Sequence, residues 1–194
     1  MKNLLKFIGL AFLTITLAFT NVDKRTIVID VSHGGHDSGV SIEGANEKEI
    51  ALNIANKIKE LNKNSNIEIV LTRDSDKFLT LNERAEFINE LNPEFVISIH
   101  ANSSKKETVN GMEIYISDNN KEKEKSKELA SKIKTAFKNQ NPEIKKGNFY
   151  LLENVAYPIV MLEVGYLTNE NDRIQLTSEE GQMKIANTIL NMIK

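Results

Sequence analysis

The chain has 194 residues, 40% of them hydrophobic and 27% charged, with no cysteine and a formal net charge of -2. That length supports one core and leaves no room for a second domain, and the near-neutral balance, without a block of basic residues interleaved with aromatics, excludes the electrostatic footprint of a nucleic-acid binder. Without cysteine there is neither a disulfide framework nor a thiolate metal site, so any metal must be held by His and carboxylate side chains.

Lys2 and Lys6 precede an apolar run from Phe7 to Phe19 that is interrupted only by Gly9, Thr14 and Thr16. This is the layout of a basic n-region followed by an h-region. The run is shorter than the about 20 apolar residues that a bilayer span needs, and Ala18-Phe19-Thr20 only approximates an A-x-A cleavage site. Residues 1–20 are therefore expected to be a signal peptide or a short N-terminal membrane anchor, and the chain to be exported to the periplasm or cell envelope. Without Lys2 and Lys6 the remainder is modestly acidic, and nothing in its charge draws it to an anionic lipid surface.

After a polar joint from Asn21 to Arg25, strand and helix patterns alternate, and the folded domain is expected over 26–194. Ile27 to Val31 reads as a strand, followed by a loop containing Gly34, Gly35, Asp37, Ser38, Gly39 and Gly44. A helix is predicted from about Glu47 to Leu61, with Ile50, Ile54, Ile58 and Leu61 on one face beside Ala51 and Ala55. Ile67 to Thr72 is the next strand. Thr80 and Glu83 have capping-box spacing and open a helix carrying Leu81, Ala85, Ile88 and Leu91, which Pro93 ends. Phe95 to His100 is a third strand, and Met112 to Ile116 alternates as an edge or mixed-sheet strand would. From Lys121 to Asn139 the stripe Leu129, Ile133, Ala136 and Phe137 predicts a helix whose charge run is a solvated face. Phe149 to Leu152 and Ile159 to Val164 read as the last strands, and Thr177 with Glu180 as the cap of a final helix carrying Ile185, Ile189 and Ile193. There is no internal repeat or low-complexity segment. The expected fold is a single three-layer α/β domain, its sheet largely parallel and covered by helices on both faces.

Function in such sheets collects at the carboxyl ends of the strands. His33 closes the first strand run and His100 the third. A catalytic zinc takes three protein ligands from His and Asp or Glu, leaving a position for water. Nothing local fixes the distance between the two histidines, which also fit ordinary polar strand ends. For a third ligand the loop and helix start offer Asp37, Glu43, Glu47 and Glu49, and position alone does not choose among them; Glu47 in a first helical turn equally complements the macrodipole. Asp30 could orient a histidine or simply end its strand. Glu163 interrupts the apolar run IVMLEVGYL, where burying a carboxylate is costly without a partner, and a general base beside an activated water accounts for it better than packing does. Ser32 and His33, adjacent on a strand, point to opposite faces and make no nucleophile–base pair. Gly34-Gly35 belongs neither to a G-x-G-x-x-G fingerprint nor to a P-loop.

The segments IVIDVSHGGHDSG, EKEIALNIANKIKEL, LTRDSDKFLTLNERAEFINELNPEFVISIHAN, GMEIYI and YPIVMLEVGYLTN, in that order from about Ile27 onward, resemble the zinc-dependent N-acetylmuramoyl-L-alanine amidases of the type 3 family. The resemblance implies Zn2+ held by His33, Glu47 and His100, which selects Glu47 from the acids left open, and it implies Glu163 as the catalytic residue. The reaction so implied is hydrolysis of the amide between the lactyl group of N-acetylmuramic acid and L-Ala, on peptidoglycan or a muropeptide, in cell-wall remodelling or daughter-cell separation. Arg73 and Arg84 fall in the family's T-R and L-x-x-R segments and could neutralise a substrate carboxylate or pair with a scaffold acid. Asn102 could bond substrate or cap the following turn, and His36 is expected to be an exposed loop residue. Two departures stand out. Val31-Ser32 replaces the usual Pro-Gly before the first histidine, so the loop must turn by other means. Only 11 residues separate His100 from Met112, too few for the site-blocking helix that some members carry there, so the site is expected to be open and any activator protein to be unspecified. The rival readings are a non-catalytic peptidoglycan-binding or regulatory module, against which the intact set of four residues argues, and a metal-dependent amidase acting on soluble muropeptides.

Overall fold

The structure, a computed structural model, describes residues 24–194, so the apolar segment 1–20 lies outside the described residues. In chain order the elements are β1 (Arg25–Val31), the short hairpin β2 (Ser41–Ile42) and β3 (Ala45–Asn46), α1 (Glu47–Leu61), β4 (Ile67–Leu71), α2 (Leu81–Glu90), β5 (Phe95–Asn102), β6 (Glu113–Ile116), α3 (Lys123–Ala136), β7 (Glu143–Lys146), α4 (Tyr150–Asn154), β8 (Ile159–Tyr166), α5 (Glu170–Thr177) and α6 (Glu179–Ile193). Six strands form one sheet in the order β4-β1-β5-β8-β6-β7. The pairs from β4 to β8 are parallel; β6 is antiparallel to β8 and parallel to β7.

Continuous apolar runs make the central strands because both of their faces are covered. Ile27, Ile29, Ile97, Ile99, Val160 and Leu162 face α1, α3 and α6, meeting Ile50, Ile54, Ile58, Leu129, Ile133, Ile185 and Ile189. The alternate residues Val28, Val96, Ile159 and Met161 face α2 and α4, meeting Ala85, Ile88, Leu151 and Leu152. The three-layer α/β expectation therefore stands.

The two faces are unequally covered. α1 and α6 have 15 residues each, whereas α2 has 10 and α4 only 5. At 1.5 Å per residue the second pair is too short to roof its face along the whole strand length. Where the cover stops, the rows begun by Val28, Val96 and Met161 continue with Asp30, Ser98, His100 and Glu163. Polar residues thus take over that face at the carboxyl ends of the parallel strands.

Three boundaries differ from the sequence reading. Phe149 to Leu152 is not a strand but the start of α4: Phe149 and Tyr150 are both exposed while Leu151 and Leu152 are both buried, a pattern that the period of 2 in a strand cannot produce. The last strand before it is instead β7, an exposed edge segment with little apolar signal. Thr177 does not cap the final helix. It ends α5, and Ser178 one residue later accepts from the Gly181 amide to cap α6. The Thr80 and Glu83 capping box, by contrast, has both of its bonds.

Candidate metal centre

The turn after β1 is made without Pro-Gly. His33 itself adopts the left-handed region at φ 56, and Gly34 follows at φ 126, where a side chain would also run into the Lys77 carbonyl. Two buried guanidiniums hold this turn. Arg73 donates to the carbonyls of Val31 (3.2 Å), Ser32 (2.7 Å) and Lys48 (2.8 Å). Arg84 donates to the carbonyls of Val31, His33 and Leu79 and to Asp30 Oδ1 at 3.0 Å. Both are therefore scaffold residues, with donors that are already used. Asp30 also accepts from Thr72 Oγ1 (2.9 Å) and Ser98 Oγ (2.6 Å), and it makes no hydrogen bond to a histidine among the described residues.

The β2–β3 hairpin turns the chain back so that Glu47 opens α1 at the sheet's carboxyl edge. Its Oε1 lies 2.9 Å from His100 Nδ1 and 3.1 Å from His33 Nε2, and accepts from the Ala101 amide at 3.1 Å. Its Oε2 accepts from the Val40 amide at 2.9 Å. The two imidazoles meet edge to face at 5.4 Å. One ligating atom from each of His33, Glu47 and His100 falls within 4.8 Å of the others. Burial by itself would push the Glu47 carboxyl up, but the two imidazoles outweigh it and hold the group far below the ordinary range. A carboxylate between two imidazole nitrogens is a donor set suited to zinc or another borderline divalent ion. Gly39 passes so close that a Cβ there would meet Glu47 Oε2 at 2.4 Å and His33 Cδ2 at 2.6 Å, so only glycine keeps the ligands in place.

The remaining candidates separate cleanly. Asp37 is 2.8 Å from His33 Nδ1, the ring nitrogen turned away from Glu47, where it orients the imidazole. Burial lowers the proton affinity of His33, but Glu47 and Asp37 together reverse this and raise its pKa. Glu43 is exposed and pairs with Arg173 at 2.8 Å, and Glu49 is exposed on α1. His36 is an exposed loop residue whose ring lies 4.1 Å from that of Phe78. Asn102 donates to Glu113 Oε2 at 3.2 Å and accepts from the Ser103 amide, which is the turn-capping role.

Glu163 is paired in register with His100 on β5 and with Glu113 on β6, so the three side chains share one face of the sheet. It is buried, and its Oε2 has no hydrogen-bond partner among the described residues. Burial, aided by the charges of Glu47 and Glu113 against those of the two histidines, pushes its carboxyl up to about 7. Glu113 was not singled out in the sequence. It accepts from Tyr115 and Tyr166 hydroxyls, each at 2.7 Å, and from Lys145, and these contacts overcome its burial to hold it in the ionised form. The available signal was its phase: Glu113 and Tyr115 alternate with the core residues Ile114 and Ile116, on the side that carries Glu163. The segment between β5 and β6 is a loop, and the His33 and His100 side chains keep 23% and 18% of their accessible surface.

The sheet and the cluster at its carboxyl edge define an α/β domain with a possible metal centre. A family model described as N-acetylmuramoyl-L-alanine amidase (Amidase_3) matches residues 27–194, and the chain belongs to that family. It is 33% identical over 202 residues to the protein YqiI of Bacillus subtilis, covering 100% of this chain and 97% of that one. The solved catalytic domain of CwlV, an N-acetylmuramoyl-L-alanine amidase from Bacillus (Paenibacillus) polymyxa, superposes with a TM-score of 0.81 at 35% identity, covering 87% of this chain and 96% of that one. The CwlD amidase of Clostridioides difficile, solved in complex with the GerS lipoprotein, has a TM-score of 0.78 at 31% identity, with 88% and 96% covered.

Proposed function

We propose that this chain hydrolyses the amide joining the lactyl group of N-acetylmuramic acid to L-Ala in peptidoglycan, with zinc held by His33, Glu47 and His100 and with Glu163 as the catalytic proton carrier. The observation that carries the reading is the convergence of three ligating atoms within 4.8 Å beside a buried carboxyl with an unpartnered oxygen. Bound there, zinc would polarise the scissile carbonyl and activate water for attack. Glu163 takes the proton of the attacking water and returns one to the departing amine of L-Ala, two tasks suited to a carboxyl whose proton affinity lies near neutrality. Asp37 keeps the His33 ring turned towards Glu47, and Arg73 and Arg84 hold the backbone of the turn that presents it.

Residues 1–20 act as a signal peptide or short anchor that brings the domain of residues 26–194 to the cell envelope, where its polymer substrate lies. No helix among the described residues is long and apolar enough to cross a membrane. The segment between β5 and β6 is a loop and lays no helix over the cluster, so any control of the site comes from elsewhere, and the activator is left unspecified. CwlD was solved with the GerS lipoprotein, which makes a test for partner dependence worthwhile.

Incubating the chain with purified peptidoglycan and identifying products by mass spectrometry tests this function. Free stem peptides beginning at L-Ala, lost on chelation and restored by added zinc, are expected. Cleavage at a glycosidic or peptide bond, or amide cleavage indifferent to chelation, overturns it. Asp37→Ala provides a separate check on the metal site: zinc affinity should fall by about 10–100-fold, read by chelator competition, because His33 loses its orienting acceptor. Unchanged affinity in this variant removes Asp37 from the site.

A further inference from the structure

Beside the cluster, the partly roofed face of the sheet opens into a cleft of about 360 Å³, within the range of about 300–1,000 Å³ usual for ligand sites. Asp30, Ser32, His100 and Met161 contribute to its lining from the sheet. One wall is the segment entering α2, with Phe78, Leu79 and Leu81, and the other is the start of α4, with Phe149, Tyr150 and Leu151. Phe78, Leu81, Phe149 and Tyr150 are between 37% and 53% exposed, an unusual concentration of large apolar groups at a polar site. The aromatic ones are held in place rather than splayed: His36 stacks on Phe78, Tyr115 meets Phe149 edge-on at 5.2 Å, and the Tyr150 hydroxyl donates to Asn82 at 3.2 Å.

The cleft's one guanidinium, Arg84, spends every nitrogen on Asp30 and on the carbonyls of Val31, His33 and Leu79. It therefore has no donor left for a ligand, and its charge is balanced by Asp30. A separate groove is polar and carries both signs of charge, Lys105 and Arg173 against Glu43, Glu107 and Glu170, with Arg173 already paired to Glu43. It is formed by the β2–β3 hairpin, the loop that follows β5 beyond His100 and the start of α5. A stem peptide carries carboxylates, which would lose water in the aromatic cleft without gaining a partner. A pyranose ring instead has an apolar C–H face that packs on aromatic rings while its hydroxyls stay wet at the rim.

Resting on the amidase reading above, we propose that the cleft between Phe78–Leu81 and Phe149–Leu151 is the glycan subsite, holding the muramoyl sugar, and that the stem peptide leaves the cluster away from these apolar walls. The scissile amide then lies at the His33–His100 end of the cleft, with the sugar on the aromatic side and the peptide carboxylates kept out of it.

The test is NMR of the full chain with 13C-labelled Phe and Tyr, titrated separately with two probes. One is the peptide-free disaccharide of N-acetylglucosamine and N-acetylmuramic acid, and the other is the dipeptide L-alanyl-γ-D-glutamate. The disaccharide should shift the signals of Phe78, Phe149 and Tyr150, and the dipeptide should leave them in place. Phe149→Ala and Tyr150→Ala, both at exposed positions, should each weaken disaccharide binding by roughly two- to tenfold. Shifts caused by the dipeptide alone reverse the polarity and overturn the proposal, as does the absence of shifts from either probe. Amide cleavage by the wild-type chain is scored independently: cleavage with a silent cleft refutes the subsite and spares the function, whereas disaccharide shifts without cleavage do the opposite.

Discussion

Glu163→Gln should reduce peptidoglycan amide hydrolysis by about 10²–10⁴-fold while bound zinc and the unfolding midpoint are retained. Glutamine has nearly the volume of glutamate but cannot accept and return a proton. The position should tolerate the change well, since the native carboxyl is buried with an unpartnered Oε2 and its ionised form is disfavoured by burial and by Glu47 and Glu113. Because Glu163 lies beside His100 on a neighbouring strand, the measurement must separate lost chemistry from lost metal. Product release measured alongside metal content does so: a metal-loaded, folded and inactive variant supports the assignment. A variant of near wild-type activity removes Glu163 from the reaction.

The second large effect concerns stability. Arg84→Met should destabilise the fold by about 3–5 kcal/mol, because it leaves the carboxylate of Asp30 buried without its cationic partner. Against a typical total of about 5–15 kcal/mol, this is enough to bring the domain near its unfolding threshold. A role in binding a substrate carboxylate would instead raise KM and leave the denaturant midpoint where it was, so equilibrium unfolding tests the scaffold assignment directly. The same network sets a pH dependence. Burial alone would raise the pKa of Asp30, but Arg84 and the hydroxyls of Ser98 and Thr72 outweigh it and the net shift is downward. The unfolded chain, with an aspartate pKa of about 3.9, therefore takes up this proton first as the pH falls. The contribution of Asp30 is complete above about pH 4 and is lost below it. Wild-type stability should drop steeply in that acid range, and Arg84→Met should show a smaller part of that drop.

Much of this molecule is legible from local pattern. The runs ending in His33 and His100 and the apolar positions of α1 identify buried strands and an amphipathic helix because burial period follows backbone geometry directly. The capping box at Thr80 is equally local. Where two readings competed within a few residues, pattern was insufficient. Phe149 to Leu152 has strand-like composition, yet the packing of Leu151 and Leu152 together against α2 makes it a helix. Ser178 supplies the cap that Thr177 also offered, because the chain is already committed to α5 through Thr177.

The site divides along the same line. Residue chemistry was enough to nominate His33, His100 and Glu163: a strand-end histidine and a carboxylate inside an apolar run are anomalies visible in one dimension. What sequence by itself determined was therefore the kind of domain, the ends of its strands and the unusual side chains placed there. Residue pattern left open which of Asp37, Glu43, Glu47 and Glu49 joins the two histidines, a choice that the family resemblance made and the tertiary structure explains; only the tertiary structure decided that Arg73 and Arg84 belong to the scaffold and that Glu113 stands beside Glu163. The site depends on distances between segments 14 to 67 residues apart, set by parallel strand register and by a hairpin that returns the chain to the sheet's edge, and no local propensity encodes them.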